Sequence, residues 1–386
     1  MAPLTDRSIT AHVMAGIPAV NRSIYRQVRF LVGDPVAFAQ IGQERVLILR
    51  DIEMDRARRT ARASCVACPR DFEPAQGLSG DRETATAQAL AECLRRAGVQ
   101  EAIADRTFPL IFAEHLRHAG IAVCFDADFG VRERRSKDAQ EVEWLREAQA
   151  ATEEAMRMAC EMVARADAAD DGSLMRSGEA LTSEAVRRAI DRLLLDMGYE
   201  NPESIVAGGT LGADCHEHGR GPLRTGEPVI IDIFPRNRRT LFNGDCTRTV
   251  VHGAVPDEVA RMHAAVVAAK HAAERAVRTG VTGGAVHKAT LGELTAHGYE
   301  SGQPPADAPF TWCGMTHGTG HGVGLDVHEP PLLDFKGPTL VRGDALTIEP
   351  GLYCKAIGGI RVEDMVIVTD DGCENLNTFD EGLDWR

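Results

Sequence analysis

The sequence predicts two domains, an α/β domain followed by an α+β domain. Strand and helix signals alternate up to about residue 130. Beyond that point, helical patterns separate β-rich blocks that carry carboxylates and histidines in unusual local sequences. At 386 residues the chain exceeds one typical domain, so either part is long enough to bury a core of its own.

Short apolar runs in the first domain predict four strands and one helix, without a cluster of ligand-type residues. The strands are predicted at 28–32, 45–49, 108–112 and 121–125, and the helix at 84–97. Cys65 and Cys68 have CxxC spacing, but no second pair completes a zinc site, so we interpret them as buried thiols.

A charged run at 131–137 is interpreted as a solvated linker, which predicts domains at 1–137 and 138–386. Asp138 and Glu141 have capping-box spacing and predict that a helix begins there. Further helices are predicted at 183–197, 257–278 and 285–297.

Four carboxylates stand out in the β-rich blocks of the second domain. Asp232 ends an apolar run, and Asp245 follows an Asn-Gly turn, which predicts a hairpin with one aspartate on each arm. Glu349 precedes Pro-Gly, where a strand must stop, and Glu363 lies in another β-type stretch. With His321, these side chains form a suitable ligand set for two divalent cations in one site.

The segment 317–330 differs from an ordinary core strand, because it has four glycines in its first eight positions. It also carries His317, His321 and His328. Glycine permits close approach to the backbone, so a glycine-rich segment with imidazoles predicts an active-site wall.

Together these segments resemble the pita-bread metallopeptidases (peptidase family M24), which include methionine aminopeptidase, aminopeptidase P and prolidase. The resemblance covers about residues 140–386 and is carried by 244–249, 317–330, 348–353 and 359–364. It implies an α/β N-terminal creatinase-like domain plus an α+β C-terminal pita-bread (creatinase/aminopeptidase) domain, in which helices cover a curved antiparallel sheet.

The resemblance also implies metal-binding roles. Asp232 would chelate one metal ion, His321 and Glu349 would bind the other, and Asp245 and Glu363 would bridge the two. Glu349 would in addition move a proton from the attacking water toward the leaving amine. Manganese is the expected metal, since carboxylate-rich sites suit it, while cobalt, zinc or iron can occupy the same ligands.

Five further residues are implied around the substrate. His328 would act on the scissile carbonyl, and His216 would act from the upstream side, with His218 as its rival. His317 would line the pocket for the residue after the scissile bond. Arg361 resembles an arginine typical of the Xaa-Pro branch and is the second candidate for substrate binding.

The presence of an N-terminal domain, with Arg361, favours hydrolysis of the peptide bond preceding proline, of the aminopeptidase P or the prolidase type. The sequence leaves the choice between these two open. The alternatives are a methionine-aminopeptidase-like activity, a creatinase-like hydrolysis of a non-peptide C–N bond, and a binding module without activity. The last two are disfavoured because all five candidate ligands are present.

One departure from the family pattern lies next to the first ligand. Asp232 is followed by Ile-Phe-Pro instead of a small residue and glycine, and its connection to Asp245 is two residues longer than usual. The basic segment 236–240 is therefore expected to reach the cleft rim or a subunit partner and to alter substrate preference.

Charge and composition restrict the partners and the location. A formal net charge of -14 provides no electrostatic footprint for nucleic acid or an anionic membrane. Residues 1–7 lack a signal-peptide pattern, no apolar stretch is long enough to span a membrane, and ten cysteines without a framework suit reduced thiols. We expect a cytoplasmic enzyme for small peptides with proline in second position. The resemblance implies a homodimer in which the N-terminal domain contributes to the partner's cleft.

Overall fold

The computed structural model describes residues 9–386. The expectation that residues 1–7 form no signal peptide falls outside the described residues. The chain divides into two compact units, Met1–Arg134 and Arg135–Arg386. None of the helices in 9–386 combines the length and the apolar character needed to cross a lipid bilayer.

The first unit is built on a mixed six-stranded sheet. Its strands are β1 (Ile9–Gly16), β2 (Val36–Ile41), β3 (Glu44–Ile48), β4 (Cys65–Ala67), β5 (Val99–Ala104) and β6 (Ala122–Phe125), in the order β4-β3-β2-β1-β5-β6. The helices that begin in this unit are α1 (Arg22–Val28), α2 (Met54–Thr60), α3 (Arg82–Arg96), α4 (Leu110–His118) and α5 (Val131–Arg135). The central strand β1 is antiparallel to β2 and parallel to β5.

Two of the predicted strands are wrong. At 28–32, helix α1 ends at Val28 and Arg29 takes a left-handed φ of 49°. At 108–112, helix α4 begins at Leu110, directly after Pro109. Both runs are short and apolar, and such runs do not distinguish a buried strand from one side of a helix. Cys65 lies in β4, and both it and Cys68 are free thiols, the latter buried.

The second unit contains four long helices and seventeen short strands among its described residues. The helices are α6 (Ala139–Ala164), α7 (Ser183–Asp196), α8 (Asp257–Ala276) and α9 (Gly283–Ala296). The first nine strands are β7 (Asp167–Ala168), β8 (Leu174–Arg176), β9 (Glu179–Ala180), β10 (Tyr199–Glu200), β11 (Ile205–Gly208), β12 (Pro228–Ile233), β13 (Arg236–Asn237), β14 (Cys246–Val251) and β15 (Glu300–Ser301). The other eight are β16 (Cys313–Met315), β17 (Gly320–Gly322), β18 (Glu329–Leu333), β19 (Ala345–Ile348), β20 (Gly351–Cys354), β21 (Gly358–Arg361), β22 (Asp364–Val368) and β23 (Cys373–Asn375).

Three sheets of this unit position the functional candidates. Their strand orders are β11-β12-β14, β15-β16-β20-β21 and β18-β17-β19-β22-β23. Helices α6 and α7 pack on the first sheet through a core that includes Ala155, Ile190 and Val229. The predicted capping box at the start of α6 is present, since Asp138 and Glu141 exchange side-chain and backbone hydrogen bonds.

Arg135 and Lys137 of the charged run form ion pairs within the second unit, and this corrects the solvated-linker interpretation for these two residues. Arg135 forms two hydrogen bonds of 2.9 and 2.6 Å to the carboxylate of Asp344. Lys137 Nζ lies 2.6 Å from Glu329 Oε1, and both side chains are only 2% exposed. Lys137 therefore belongs to the interior of the second unit, whereas Arg135 is partly buried and pairs with a buried carboxylate.

The glycines of the 317–330 segment are required by strand packing. A Cβ at Gly320 would lie 2.0 Å from the carbonyl oxygen of Thr347, and a Cβ at Gly322 would lie 2.4 Å from that of Pro330. The close approach predicted from these glycines is thus made by neighbouring strands β19 and β18. It allows β17 to place His321 between β18 and β19.

Candidate active site and metal centre

One cavity of about 460 Å³ in the second unit brings the sequence candidates together. All ten residues considered for metal binding, catalysis or substrate binding line it. They are His216, His218, Asp232, Asp245, His317, His321, His328, Glu349, Arg361 and Glu363.

Strand ends position the four carboxylates. Asp232 lies in β12 and pairs with Thr247 of β14, while Asp245 lies one residue before β14, so the predicted hairpin is present. Glu349 follows the last residue of β19, and Glu363 lies between β21 and β22. Because two antiparallel sheets end around the same cavity, side chains far apart in sequence face one another.

The ligand atoms of three candidates are close enough to hold one cation. Oxygen or nitrogen atoms of Asp245, His321 and Glu363 all lie within 4.8 Å of one another, and all three residues are buried. The Nε2 atom of His321 lies 3.8 Å from Asp245 Oδ2 and 3.5 Å from Glu349 Oε1.

The imidazole of His321 is suited to binding a metal ion. Burial lowers its pKa, so the ring is neutral, and its Nδ1 is 3.1 Å from the carbonyl oxygen of Gly322. A neutral ring that donates from Nδ1 directs the Nε2 lone pair toward the carboxylates. The Nε2 lone pair and the carboxylate oxygens that face it repel each other unless a cation lies between them.

The carboxylates are also suited to binding a metal ion. Burial raises the pKa of Asp245 and of Glu363, and repulsion from neighbouring carboxylates raises both further. Burial likewise raises the pKa of Glu349. Asp232 Oδ1 is buried without a hydrogen-bond partner among the described residues. Buried carboxylates in such a group require a positive partner, so these residues fit divalent cations.

Arg361 provides positive charge beside the carboxylates and is held rigidly. Its Nη2 donates to Asp232 Oδ2 at 2.7 Å, its Nη1 to the Tyr353 hydroxyl at 3.0 Å, and its Nε to Thr247 Oγ1 at 3.2 Å. The Tyr353 hydroxyl lies 2.7 Å from Nε2 of His317. The guanidinium therefore links the first carboxylate to the pocket wall.

Three supporting residues were missed in the sequence. Thr247 Oγ1 donates to Glu363 Oε2 at 2.7 Å, and Gln149 of α6 exchanges hydrogen bonds of 2.9 and 2.7 Å with the backbone of Asp245. Tyr353 is the third. Thr247 and Tyr353 lie in segments that carried the family resemblance, which was a usable signal, but the local sequence around Gln149 contained none.

The other histidines surround the same cavity. The His328 ring packs against the His321 ring with centroids 4.3 Å apart. Burial lowers the pKa of His317 and of His328. His216 and His218 both line the cavity.

The unusual sequence after Asp232 reaches the cavity through Phe234, which is part of the lining. The basic segment behind it does not reach the lining formed by the described residues. Arg236 pairs with Glu200, and Arg239 Nη2 lies 3.0 Å from Glu147 Oε2. Of the residues 233–240 that depart from the family pattern, Phe234 alone lines this cavity among the described residues.

Sequence comparisons connect this site to known peptidases. The model of metallopeptidase family M24 matches residues 143–370, more than half of the chain. An Xaa-Pro dipeptidase from Pyrococcus horikoshii is 28% identical over 229 residues, 58% of this chain and 60% of that protein. A probable dipeptidase PepE from Mycobacterium tuberculosis is 38% identical over 176 residues, 45% of this chain and 43% of that protein. The chain thus spans about half the length of these curated relatives.

Solved structures have the same fold. An X-Pro aminopeptidase from Thermotoga maritima aligns over 97% of both chains with a TM-score of 0.78 at 21% identity. A prolidase from Pyrococcus horikoshii aligns over 97% of this chain and 95% of its own with a TM-score of 0.75 at 22% identity. These alignments confirm the predicted fold class, an α/β creatinase-like part with an α+β pita-bread part.

Proposed function

The chain belongs to metallopeptidase family M24, and on that basis we propose that it is a metal-dependent exopeptidase that hydrolyses the peptide bond preceding proline. The observation that carries the proposal is the convergence of five ligand-type side chains in one cavity with His317 and His328. A binding module would not require this buried group of carboxylates, which is costly to fold without cations.

We propose that Asp232, Asp245, His321, Glu349 and Glu363 hold two divalent cations, with manganese as the preferred metal. Bound there, the cations would activate a water molecule and polarise the scissile carbonyl. Arg361 keeps the Asp232 carboxylate oriented, and Thr247 does the same for Glu363. Neither side chain needs to contact the substrate for this role.

The protein side chains then handle the protons and the substrate. Glu349 accepts a proton from the attacking water and passes it to the leaving amine. His328 donates a hydrogen bond to the oxygen on which charge develops. His216, with His218 as its rival, is proposed for the upstream role, and both line the cavity. His317, anchored to Tyr353, lines the pocket for proline.

The names of the relatives support the choice of substrate. Both the Pyrococcus relative and the Thermotoga structure are named for X-Pro substrates. A small peptide with proline in second position is therefore the proposed substrate. The proposal includes a cytoplasmic location and a homodimer.

The test is an assay of the protein reconstituted with Mn²⁺ on Ala-Pro, Ala-Pro-Ala, Met-Ala and creatine. We expect cleavage of one or both proline peptides, and none by the Asp245→Asn variant, which removes a bridging ligand. Cleavage of Met-Ala alone would indicate a methionine-aminopeptidase-like enzyme, and turnover of creatine alone a C–N hydrolase. No turnover by protein with two bound Mn²⁺ ions would refute the enzymatic proposal.

A further inference from the structure

A buried ion pair lies directly beside a residue of the proposed catalytic machinery. Lys137 Nζ and Glu329 Oε1 are 2.6 Å apart, with both side chains 2% exposed. Glu329 is the residue after His328. The backbone N–H of Lys137 also donates to the carbonyl oxygen of Gly343 at 3.1 Å, which holds the lysine backbone in place.

The Glu329 carboxylate is packed against the loop that leads to His328. Its Oε2 lies 3.4 Å from the backbone nitrogen of Asp326, which donates to it. A Cβ at Gly324 would lie 2.6 Å from Oε1, so the carboxylate rests on the glycine backbone. On the other side of the loop, the carbonyl oxygen of Gly324 accepts two hydrogen bonds from Asn243, at 2.9 and 2.8 Å.

The His328 ring itself makes few contacts that would fix its position. Within residues 9–386 it has no hydrogen-bond partner, the residue is exposed, and its ring contact is with His321. A side chain without its own anchor takes its position from the backbone that carries it. That backbone is held on one side by Glu329 and, through it, by Lys137.

We propose that Lys137 is a positioning residue that acts on His328 through Glu329. The inference rests on the proposed function for its kinetic consequence, since it concerns the group that faces the scissile carbonyl. A displacement of about 1 Å in such a group can lower a rate about 100-fold. The lysine would therefore affect turnover without touching substrate or metal.

Replacing Lys137 also affects stability, and this effect must be separated from the effect on the position of His328. Lys137→Met removes the cation that pairs with the buried Glu329 carboxylate, which lowers stability. The double variant Lys137→Met/Glu329→Gln removes both charges, so it should recover most of the lost Tm. Its kcat should stay low, because the anchor of the loop is still absent. Recovery of Tm and kcat together would overturn the proposal.

A double-mutant cycle with His328 provides the kinetic test. We expect Lys137→Met to lower kcat about 10- to 100-fold with unchanged KM and Mn²⁺ content. In the His328→Ala background the same substitution should change kcat less than about twofold, because the positioned group is gone. Equal fold-losses in both backgrounds would contradict the proposal.

The matched control is Arg135→Met, which breaks the neighbouring, partly buried ion pair with Asp344. It should lower Tm, and any loss of kcat should be the same with and without His328. If its loss of kcat also disappeared in the His328→Ala background, the coupling would not be specific to Lys137 and the proposal would fail.

A spectroscopic readout keeps the inference separate from the enzymatic proposal. The readout is the NMR signal of the His328 ring in histidine-labelled protein that holds diamagnetic Zn²⁺ instead of Mn²⁺. The signal is assigned by its loss in His328→Ala. We expect it to shift or broaden in Lys137→Met. An unchanged His328 signal would refute the positioning role even if the wild type cleaves proline peptides. A shifted signal in a protein that cleaves none would support it while the proposed function failed.

Discussion

Side chains outside the candidate metal centre hold its carboxylates in place. Thr247 and Gln149 bond to Glu363 and to the backbone of Asp245, and Arg361 bonds to Asp232. The sequence predicted the side chains that converge on the cavity, some from unusual local patterns and others, such as His216 and Arg361, from the family resemblance. It did not predict most of their partners, because a hydrogen bond between residues 96 positions apart depends on how the strands and helices pack.

Thr247→Val tests how much the hydrogen bond from Thr247 to Glu363 contributes to metal binding. The substitution keeps the side-chain shape but removes the hydroxyl that donates to Glu363 and accepts from Arg361. Because partners of metal ligands orient them, we expect Mn²⁺ affinity to fall about 10- to 100-fold, measured by titration calorimetry.

Thr249→Val is the matched control for that substitution. Thr249 is a buried threonine of the same strand whose hydroxyl bonds the Arg361 backbone instead of a ligand side chain. It should lower Tm but change Mn²⁺ affinity less than about threefold. Similar losses of affinity in both variants would contradict a specific role for Thr247.

Strand packing explains where pattern-based prediction succeeded and where it failed. The helices predicted at 183–197 and 285–297 correspond to α7 and α9, and the amphipathic pattern that predicts a helix is distinctive in α7. The runs at 28–32 and 108–112 were too short to distinguish strand from helix. In the 317–330 segment the glycines correctly indicated close approach, but the sequence could not show that strands β18 and β19 make it.

Gly320→Ala tests that packing. The added Cβ would lie 2.0 Å from the Thr347 carbonyl, so β17 and β19 must separate. We expect the free energy of unfolding to fall by about 3 kcal/mol, measured by urea denaturation, together with weaker Mn²⁺ binding because His321 is the next residue.

Gly292→Ala provides the opposite control. Gly292 lies in α9, and a Cβ there meets no atom within 4 Å. Alanine should raise the free energy of unfolding by up to about 1 kcal/mol, because it favours the helix. If Gly320→Ala did not lower the free energy of unfolding relative to Gly292→Ala, the packing argument would be contradicted.

The whole molecule combines a net charge of -14 with a buried group of acids in its second unit. The sequence predicted the two-part architecture and the acidic group, but it interpreted Arg135 and Lys137 as solvated. Their partners, Asp344 and Glu329, lie about 200 residues away, so no local pattern reveals them. The predicted border at 137/138 stays a prediction.

The buried acids predict an opposite pH dependence for metal-free and metal-loaded protein. Burial and mutual repulsion raise the pKa of Asp245 and of Glu363, so these two groups bind more protons in the folded metal-free protein than in the unfolded chain. Their contribution to stability is present below the unfolded pKa of about 4 and is lost as pH rises toward the folded pKa. Metal binding requires the ionised forms, so metal-induced stabilisation should increase with pH.

Thermal unfolding at pH 5.5 and pH 8, with chelator or with excess Mn²⁺, measures both effects. The lowered pKa values of His317, His321 and His328 act in the opposite direction on the wild-type Tm, so Glu363→Gln isolates the contribution of the acids. We expect Glu363→Gln to raise Tm in chelator more at pH 8 than at pH 5.5, and the wild-type rise in Tm on adding Mn²⁺ to be larger at pH 8. An equal change in Tm at both pH values in Glu363→Gln would contradict the contribution of the acids.

The central claim is that five side chains hold two metal ions that are needed to cleave before proline. Its most direct test is a titration of metal-free protein with Mn²⁺ while the hydrolysis of Ala-Pro and Ala-Pro-Ala is followed. The account predicts activity that rises until two equivalents are bound and is absent in Asp245→Asn. Tight binding of two equivalents without hydrolysis of either peptide, or full hydrolysis by the metal-free protein, would contradict it.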